Sequence, residues 1–388
     1  MPFFELIMTS VCKPLAISLA VAAVFPSSFV FAEAAEFAPT VVVTAGRQVQ
    51  AAKDVLADNV VITEDEIARS GATGIVDLLQ RQRGIEIARN GGPGTNSSVF
   101  IRGGSNAQNV VYVDGVRIGS STTGGATWAA LPLAQIERIE IIYGPLSSLY
   151  GADAMGGVIQ VFTKKGGKIM TPTVSAGMGS YGLYQLQSGI TGAAGDVRFA
   201  LNVAHEQAEG FSATKPAAGP YSYNADKDGY KQDSASGRLA WEVSKGTELG
   251  LNFLQSRLRA QFDAGPGYDD YSVQKLGSLA LYGKTKLGID VLQLVAEHRK
   301  EEVETTTQGI SGDRTTTSIA ASYVLKRDAH LASASARLDD SSQYGKHTTG
   351  SVAYGYHFTD VLRLNASYGT SFRAPNFNEL YYPGYGIA

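Results

Sequence analysis

From residue 171 to the end, apolar and polar positions alternate. In DVRFALNVAH, Val197, Phe199, Leu201 and Val203 fall on one face, and Arg198, Ala200 and Asn202 on the other. TELGLNFLQS sets Leu249, Leu251 and Phe253 against Glu248, Gly250 and Asn252. TTGSVAYGYHF sets Val352, Tyr354, Tyr356 and Phe358 against Ser351, Ala353, Gly355 and His357, and LRLNASYG repeats the pattern with Leu362, Leu364, Ala366 and Tyr368. A period of two is that of a strand whose faces meet different surroundings. Roughly 11 such segments, often ~10 residues long, are joined by turns and some longer polar loops, which predicts an antiparallel transmembrane β-barrel. A soluble β-sandwich would alternate in the same way.

Between residues 51 and 168 the pattern is mixed and predicts a compact α/β domain. TEDEIARSG opens with a capping box, Thr63 with Glu66, and stops at Gly71. TGIVDLLQRQRG predicts a second short helix with Ile75, Val76, Leu78 and Leu79 on one side. Strands are expected in GIEIA, SSVFIRG and NVVYVDGVRIG, the last folded back at the Asp114-Gly115 turn. LAQIERIEIIYGP reads as a helical turn running into a strand, and SLYGADAMGGVIQVFTKKG as a glycine-rich turn followed by another.

Residues 1–32 read as a signal peptide: Lys13, then the apolar run PLAISLAVAAVF, then a small-residue cleavage site ending at Ala32. That run is too short for a helix spanning a bilayer, which needs ~20 residues. The single cysteine, Cys12, lies inside it, so the rest of the chain has no disulfide. Residues 33–50 form a polar arm holding PTVVVTAG, three valines between threonines, bounded by proline and glycine. No second strand is expected around it, so its partner is expected in another protein.

The 388 residues carry a net charge of −3, with 44 glycines and 19 tyrosines. Near-neutral charge gives no case for nucleic acid as the main partner. The tyrosines, with a mean hydropathy of −0.05, suit aromatic-decorated strands better than a helical bundle. No segment after the signal approaches a transmembrane helix, and only helices or closed barrels satisfy every backbone group in lipid. The glycine runs lack the context of a phosphate-binding loop. The histidines show no metal-ligand spacing, and no nucleophile–base arrangement stands out, so an enzyme is not expected and no organic cofactor is implied. NADKDG places Asn224, Asp226, Asp228 and Gly229 at the first half of an EF-hand spacing. Its closing glutamate would fall at Ala235, so a hard-cation loop and a plain polar loop both remain open. NGGPGTNSS and GSSTTGGAT are small polar loops suited to hydrogen-bonding a large polar ligand.

In PTVVVTAG, SSVFIRGGSNAQNVVYVDGVR and IERIEIIYGPLSSLYGADAMGGVIQVFTKKG, taken in that order, the chain resembles the TonB-dependent outer-membrane receptors. RLDDSSQYGKHTTGSVAYGYHF and ASYGTSFRAPNFNELYYPGYG look most like the cobalamin (vitamin B12) transporters of that family. The resemblance implies a plug inside a 22-stranded barrel in the outer membrane of a Gram-negative bacterium. It implies active uptake of cobalamin or a similar large chelate, driven through TonB. Siderophore or haem receptors, and a passive pore or surface receptor, are the alternatives. TonB would dock on Pro39, Thr40, Val41, Val42, Val43, Thr44 and Ala45. Substrate contacts would match Asn96, Ser98, Asn106, Thr122, Thr123 and Ala264. Ca²⁺ ordering the ligand-binding loops would match Asn224, Asp226, Asp228, Phe262 and Asp263, with Asp269 or Asp270 as a further carboxylate.

Three departures stand out. Tyr143 occupies a position where many family members carry arginine. Ser212 aligns with a family aspartate, which bears on whether one or two ions bind. About 11 strands are present of the expected 22, and the region around YGKTKLGIDVLQL looks shortened by about two strands, so this chain is expected to form an incomplete, non-sealing barrel.

Overall fold

The computed structural model describes residues 42–43, 50–51, 54–72, 74–89, 97–126, 128, 133, 136–163, 169–212, 214–219, 223–263, 269–307, 309–359 and 362–381. The expected signal peptide, Pro39, Thr40, Val41, Thr44, Ala45, Asn96 and Ala264 lie outside them.

The opening strand has a partner within the chain, contrary to the sequence expectation. β1 (Val42–Val43) pairs antiparallel with β2 (Gln50–Ala51), Val42 facing Ala51 and Val43 facing Gln50. A lone Gln-Ala dipeptide carries no strand signal, which is why β2 escaped notice. So short a two-stranded ladder is marginal by itself.

The mixed domain forms as its local signals require. β3 (Asn59–Thr63) runs into α1 (Glu64–Arg69) through the capping box: Thr63 N–H donates to Glu66 Oε2 at 2.7 Å, and Glu66 N–H to Thr63 Oγ1 at 3.3 Å. α2 (Ile75–Gln80) buries Ile75, Val76, Leu78 and Leu79. β4 (Ile85–Arg89) and β5 (Ser97–Ile101) pair with each other. β6 (Asn109–Val113), β7 (Val116–Ile118), β8 (Ile136–Tyr143) and β9 (Gly157–Thr163) join β3 in one sheet, ordered β3-β8-β9-β6-β7, with α3 (Ser147–Tyr150) between β8 and β9. Only β6 and β9 run parallel. Asp114 and Gly115 both take positive φ, 50° and 83°, as a tight hairpin turn demands. The Asp114 carboxylate also accepts from Thr163 N–H and Oγ1 at 2.9 and 2.7 Å, tying the turn to β9. Ile101, Ile139, Ile141, Ile159 and Val161 are wholly buried in the core.

The alternating region forms one 11-stranded up-and-down antiparallel sheet. Its strands are β10 (Thr171–Gly179), β11 (Leu183–Ala194), β12 (Val197–Phe211), β13 (Asp228–Ser244), β14 (Thr247–Asp263) and β15 (Asp269–Leu287). They continue with β16 (Asp290–Thr305), β17 (Gly312–Arg327), β18 (His330–Ser341), β19 (Gly345–His357) and β20 (Arg363–Gly369). Turns at Gly195, Gly246, Gly288 and Asp328 are tight, whereas the connections at the opposite end are longer in three cases, residues 212–227, 264–268 and 306–311. Leu201, Leu249, Ile319, Val352, Leu364 and Tyr368 stand exposed on the outward face, as the alternation predicts. β15 and β16 join directly through Gly288-Ile289 and stay in register from Leu287–Asp290 to Ser272–Thr305, so the sheet is unbroken where the sequence looks shortened. Among the described residues β10 and β20 pair on one side only, and the sheet is not closed.

Candidate ligand-facing site at the long-loop end

The plug loop 119–125 sits at the long-loop end of the sheet. Ser120 N–H donates to Gly125 O at 2.7 Å, and Gly124 N–H to Ser120 O at 2.9 Å, closing the loop on itself. Asn106 holds it from below: its Oδ1 accepts from Val99 N–H at 2.9 Å and its Nδ2 donates to Gly124 O at 2.9 Å. This approach needs glycine at Gly125, where φ is +78° and a Cβ would stand 2.2 Å from Asn106 Nδ2. Asn106, expected at the ligand, therefore spends its amide on the loop. Thr122, also expected there, is buried, with Ser120 Oγ at 3.0 Å from its hydroxyl. Thr123 is half-buried and donates to Ser120 Oγ at 3.0 Å, and Ser98 is half-buried on β5.

Thr122 is buried because the segment after β20 returns over the plug. Phe377 N–H donates to Ser121 O at 3.0 Å, and Asn378 N–H to Thr122 O at 3.2 Å. Phe377 opens the short helix α4 (Phe377–Tyr381) and is wholly buried against Val303 and Ile310. Asp153 fastens the segment's start: its N–H donates to Phe372 O at 2.7 Å and its Oδ1 accepts from Ala374 N–H at 2.8 Å. Arg117 holds Asp153 from the plug side at 2.5 Å. Arg373 pairs with Glu379 at 2.6 Å. Burial opposes charge on Glu379, but Arg373 and the Asn376 N–H outweigh it and hold the carboxyl below its ordinary range.

The sheet meets the same loop with charges that sequence reasoning missed. Ser121 Oγ donates to Glu301 Oε1 at 3.1 Å, and Ser121 N–H to Gln274 Oε1 at 3.1 Å. Glu301 lies between Arg314 at 2.9 Å and Arg299 at 3.5 Å, all three buried. The available signal was the period-two run Glu297, Arg299, Glu301, charged on the face that turns inward.

Three of the expected metal ligands converge at this end. One oxygen each from Asp226, Asp228 and Asp263 lie within 4.8 Å of one another. Asp228 begins β13 and is buried, while Asp263 ends β14. Asp263 Oδ2 accepts from Thr214 N–H at 3.1 Å, while its Oδ1 is buried with no hydrogen-bond partner among the described residues. Gathered carboxylates repel unless a cation or proton sits among them, and oxygen donors suit a hard cation. Ser212 donates to the Asn224 carbonyl at 2.9 Å, so it orders the loop where the family carries an aspartate. Asp269 faces Asp263 across the ladder and Asp270 faces Phe262; Asp270 stands outside the carboxylate group.

At the opposite end, Arg363 donates to Val55 O at 3.0 Å and Asn365 to Leu56 O at 3.1 Å, so the start of the plug lies at the short-turn end. Above it, Tyr143 takes up the space of the expected arginine. Its hydroxyl donates to Arg83 O at 2.7 Å, and the Arg102 guanidinium lies 4.3 Å from its ring. Asp58 pairs with both arginines. Burial raises the Tyr143 pKa, against the lowering pull of Arg83.

Residues 51–158 match the TonB-dependent receptor plug domain, and residues 184–388 match the TonB-dependent receptor-like β-barrel. The chain belongs to the TonB-dependent receptors. It is 30% identical to the vitamin B12 transporter BtuB of Vibrio cholerae serotype O1, over 96% of this chain and 69% of that protein. For the vitamin B12 transporter BtuB of Photobacterium profundum the identity is 29%, over 96% of this chain and 68% of that protein. The aligned stretch with the Vibrio protein is 424 residues, against 388 in this chain. Among solved structures, the ferric enterobactin receptor PfeA of Pseudomonas aeruginosa superposes with a TM-score of 0.62 at 18% identity, covering 88% of this chain and 65% of that one. The siderophore receptor PirA of Acinetobacter baumannii gives 0.58 at 18%, covering 82% and 61%. The chain thus spans less than two thirds of these solved receptors. TonB-dependent receptors are outer-membrane β-barrel proteins that take large chelates and work with TonB; they are not enzymes. In such barrels short turns face the periplasm and long loops the outside, which puts the plug loop and carboxylates on the outer side.

Proposed function

We propose that this chain serves TonB-dependent uptake of cobalamin across the outer membrane. The observation that carries this reading is the 30% identity to a vitamin B12 transporter along 96% of the chain. The solved siderophore receptors, at 18% identity, support the shared fold alone. Substrate binds among the outer loops and the plug apex, where Ser98 and Thr123 stand half-buried, and Asn96 and Ala264, outside the described residues, complete the expected set. Asn106 and Thr122 act on loop shape, by the hydrogen bonds given above. Asp226, Asp228 and Asp263 would hold one Ca²⁺, which supplies a fixed charge that draws the 212–227 loop against the end of β14. TonB takes the segment Pro39–Ala45 by strand addition, β1 exchanging its short ladder with β2 for a longer one. Ala51 lies three residues before Asp54, so β2 is within about 10 Å of the plug's start at the periplasmic end.

The test is radiolabelled cobalamin uptake by cells lacking their own transporter and expressing this protein within its full natural reading frame. Saturable, TonB-dependent uptake is expected. Surface-expressed protein without uptake would sink the proposal, and tight ferric-chelate binding in its place would select the siderophore reading.

A further inference from the structure

The inner face of the sheet meets the plug in two different ways. On β16–β19 it pins the plug. Arg337 of β18 pairs with Glu297 at 3.3 Å and with Asp339 at 2.8 Å. The same side chain lies against the plug at Gly151, where a Cβ would stand 3.1 Å from Arg337 Nε. Beside it, Ser148 of α3 donates to Ser351 Oγ at 2.9 Å and accepts from Ser335 at 2.8 Å. Midway along β11–β15 the side chains toward the plug are neutral instead: Gln187, Asn202, Gln232, Ser236, Ser256 and Gln274.

Between that neutral wall and the β6–β7 hairpin lies a cavity of about 130 Å³. A single buried water needs only about 10–15 Å³. The cavity sits directly under the plug loop: Gly119, where the loop begins, lines it, and so does Gln274, which holds Ser121 N–H. Among the described residues Asp114 is the one ionisable group of its lining, and Thr163 holds that carboxylate from two donors. Gln232 also lines it, and Gln232 Oε1 is buried with no hydrogen-bond partner among the described residues. An acceptor left in that way costs stability until a donor reaches it. Asp114 borders a second cavity of about 150 Å³, nearer the short turns. There Asn252 Oδ1 and Gln293 Oε1 also lack partners among the described residues, while Arg238, Tyr282 and Glu248 are tied to one another at 3.1 and 2.8 Å. The two cavities follow β13–β15 from the plug loop toward the periplasmic end.

We propose that the first cavity is an inner substrate subsite, which takes a neutral carboxamide- or hydroxyl-bearing arm of the solute after it leaves the plug loop, with Gln232 Oε1 accepting from that arm. The proposal rests on the cobalamin reading, since cobalamin presents primary-amide arms. Glutamine, asparagine and serine side chains can replace the water around such an arm, hydrogen bond for hydrogen bond. An anionic ferric chelate would lose its hydration there with no cation to meet it, and would face the Asp114 carboxylate. The serines and ion pairs on β16–β19 hold the plug on one flank, so the solute moves along the other.

The test uses the protein in its full natural reading frame, in cells lacking their own transporter. Ser236→Leu fills the cavity, and Gln232→Leu removes its unpartnered acceptor. Each should keep radiolabelled cobalamin binding to de-energised cells within about twofold and cut the initial uptake rate about tenfold. Ser236→Cys gives a second readout that needs no loss of transport. With TonB active, cobalamin should slow its modification by methyl methanethiosulfonate several-fold, and without TonB it should not. Unchanged uptake in both leucine variants would overturn the proposal and leave the uptake reading standing. So would thiol modification indifferent to cobalamin with TonB active, which means that water alone fills the cavity. Unaltered protein that binds no cobalamin would overturn both. Should the leucine variants fail to reach the surface, protection of the thiol decides.

Discussion

Tyr143 shows how one residue reshapes its neighbours. With Arg83 and Arg102 already sharing Asp58, a third guanidinium at Tyr143 would have no carboxylate of its own there. Tyr143→Arg is expected to destabilise the plug by about 2–3 kcal/mol through a poorly paired buried charge. Tyr143→Phe, which loses only the bond to Arg83 O, should cost about 1 kcal/mol. Chemical denaturation followed by plug tryptophan fluorescence separates the two; equal costs would refute the account. Gly125→Ala should cost about 1–3 kcal/mol, since the added methyl meets the Asn106 amide and needs left-handed backbone. Asp228→Asn should weaken Ca²⁺ binding at least tenfold by calorimetry; unchanged affinity would remove the carboxylate cluster as the ion site. Asp226 and Asp228 were legible as alternate acidic residues of one short stretch, whereas Asp263, at the end of another strand, was named only through the family resemblance. The burial of Thr122 was not, because it depends on Phe377 and Asn378, remote in sequence and adjacent only after the sheet forms.

At the scale of elements, local physics was readable wherever one short stretch sufficed. The Thr63 capping box, the Asp114-Gly115 turn and the period-two strands all formed where expected. β2 was missed because its strand character comes from pairing with β1 and not from its own residues. The proposed role of β1 rests on main-chain bonds, so Val43→Pro, which deletes an N–H, should abolish transport while cobalamin binding persists. Transport surviving that change would exclude docking at this strand. The segment carrying α4 ties the plug loop to the sheet. Phe377→Ala should cost about 3–5 kcal/mol and raise proteolytic cleavage near residue 374. Because the Glu379 carboxyl is held below its ordinary value of 4.5, its pairing with Arg373 is intact above that pH and is lost as pH falls through the lower, folded value. Proteolysis of the segment should therefore increase below about pH 4.5 and not at alkaline pH, and Glu379→Gln should flatten the profile.

Among the described residues from 54 to 381, a plug packs against one face of an 11-stranded sheet. The outward apolar belt and the inward charges on β16, β17 and β18 divide that sheet between lipid and plug, and the division follows from alternation alone. The number of strands was legible for the same reason. What alternation does not carry is which inward charge meets which plug atom, since Glu301, held by Arg299 of its own strand and Arg314 of the next, meets Ser121 from a third region. Among the described residues β10 and β20 each leave one ladder edge unpaired, and a lipid-exposed edge is costly until paired. A barrel assembled with both edges paired should migrate as a heat-modifiable species on electrophoresis, and an open sheet should not. The central claim, that this receptor takes up cobalamin, is most directly tested by equilibrium binding of radiolabelled cobalamin to outer membranes containing the protein in its full natural reading frame. The account predicts saturable binding that Ca²⁺ chelation weakens and excess ferric enterobactin leaves intact. Absence of cobalamin binding, with ferric enterobactin bound in its place, would contradict it.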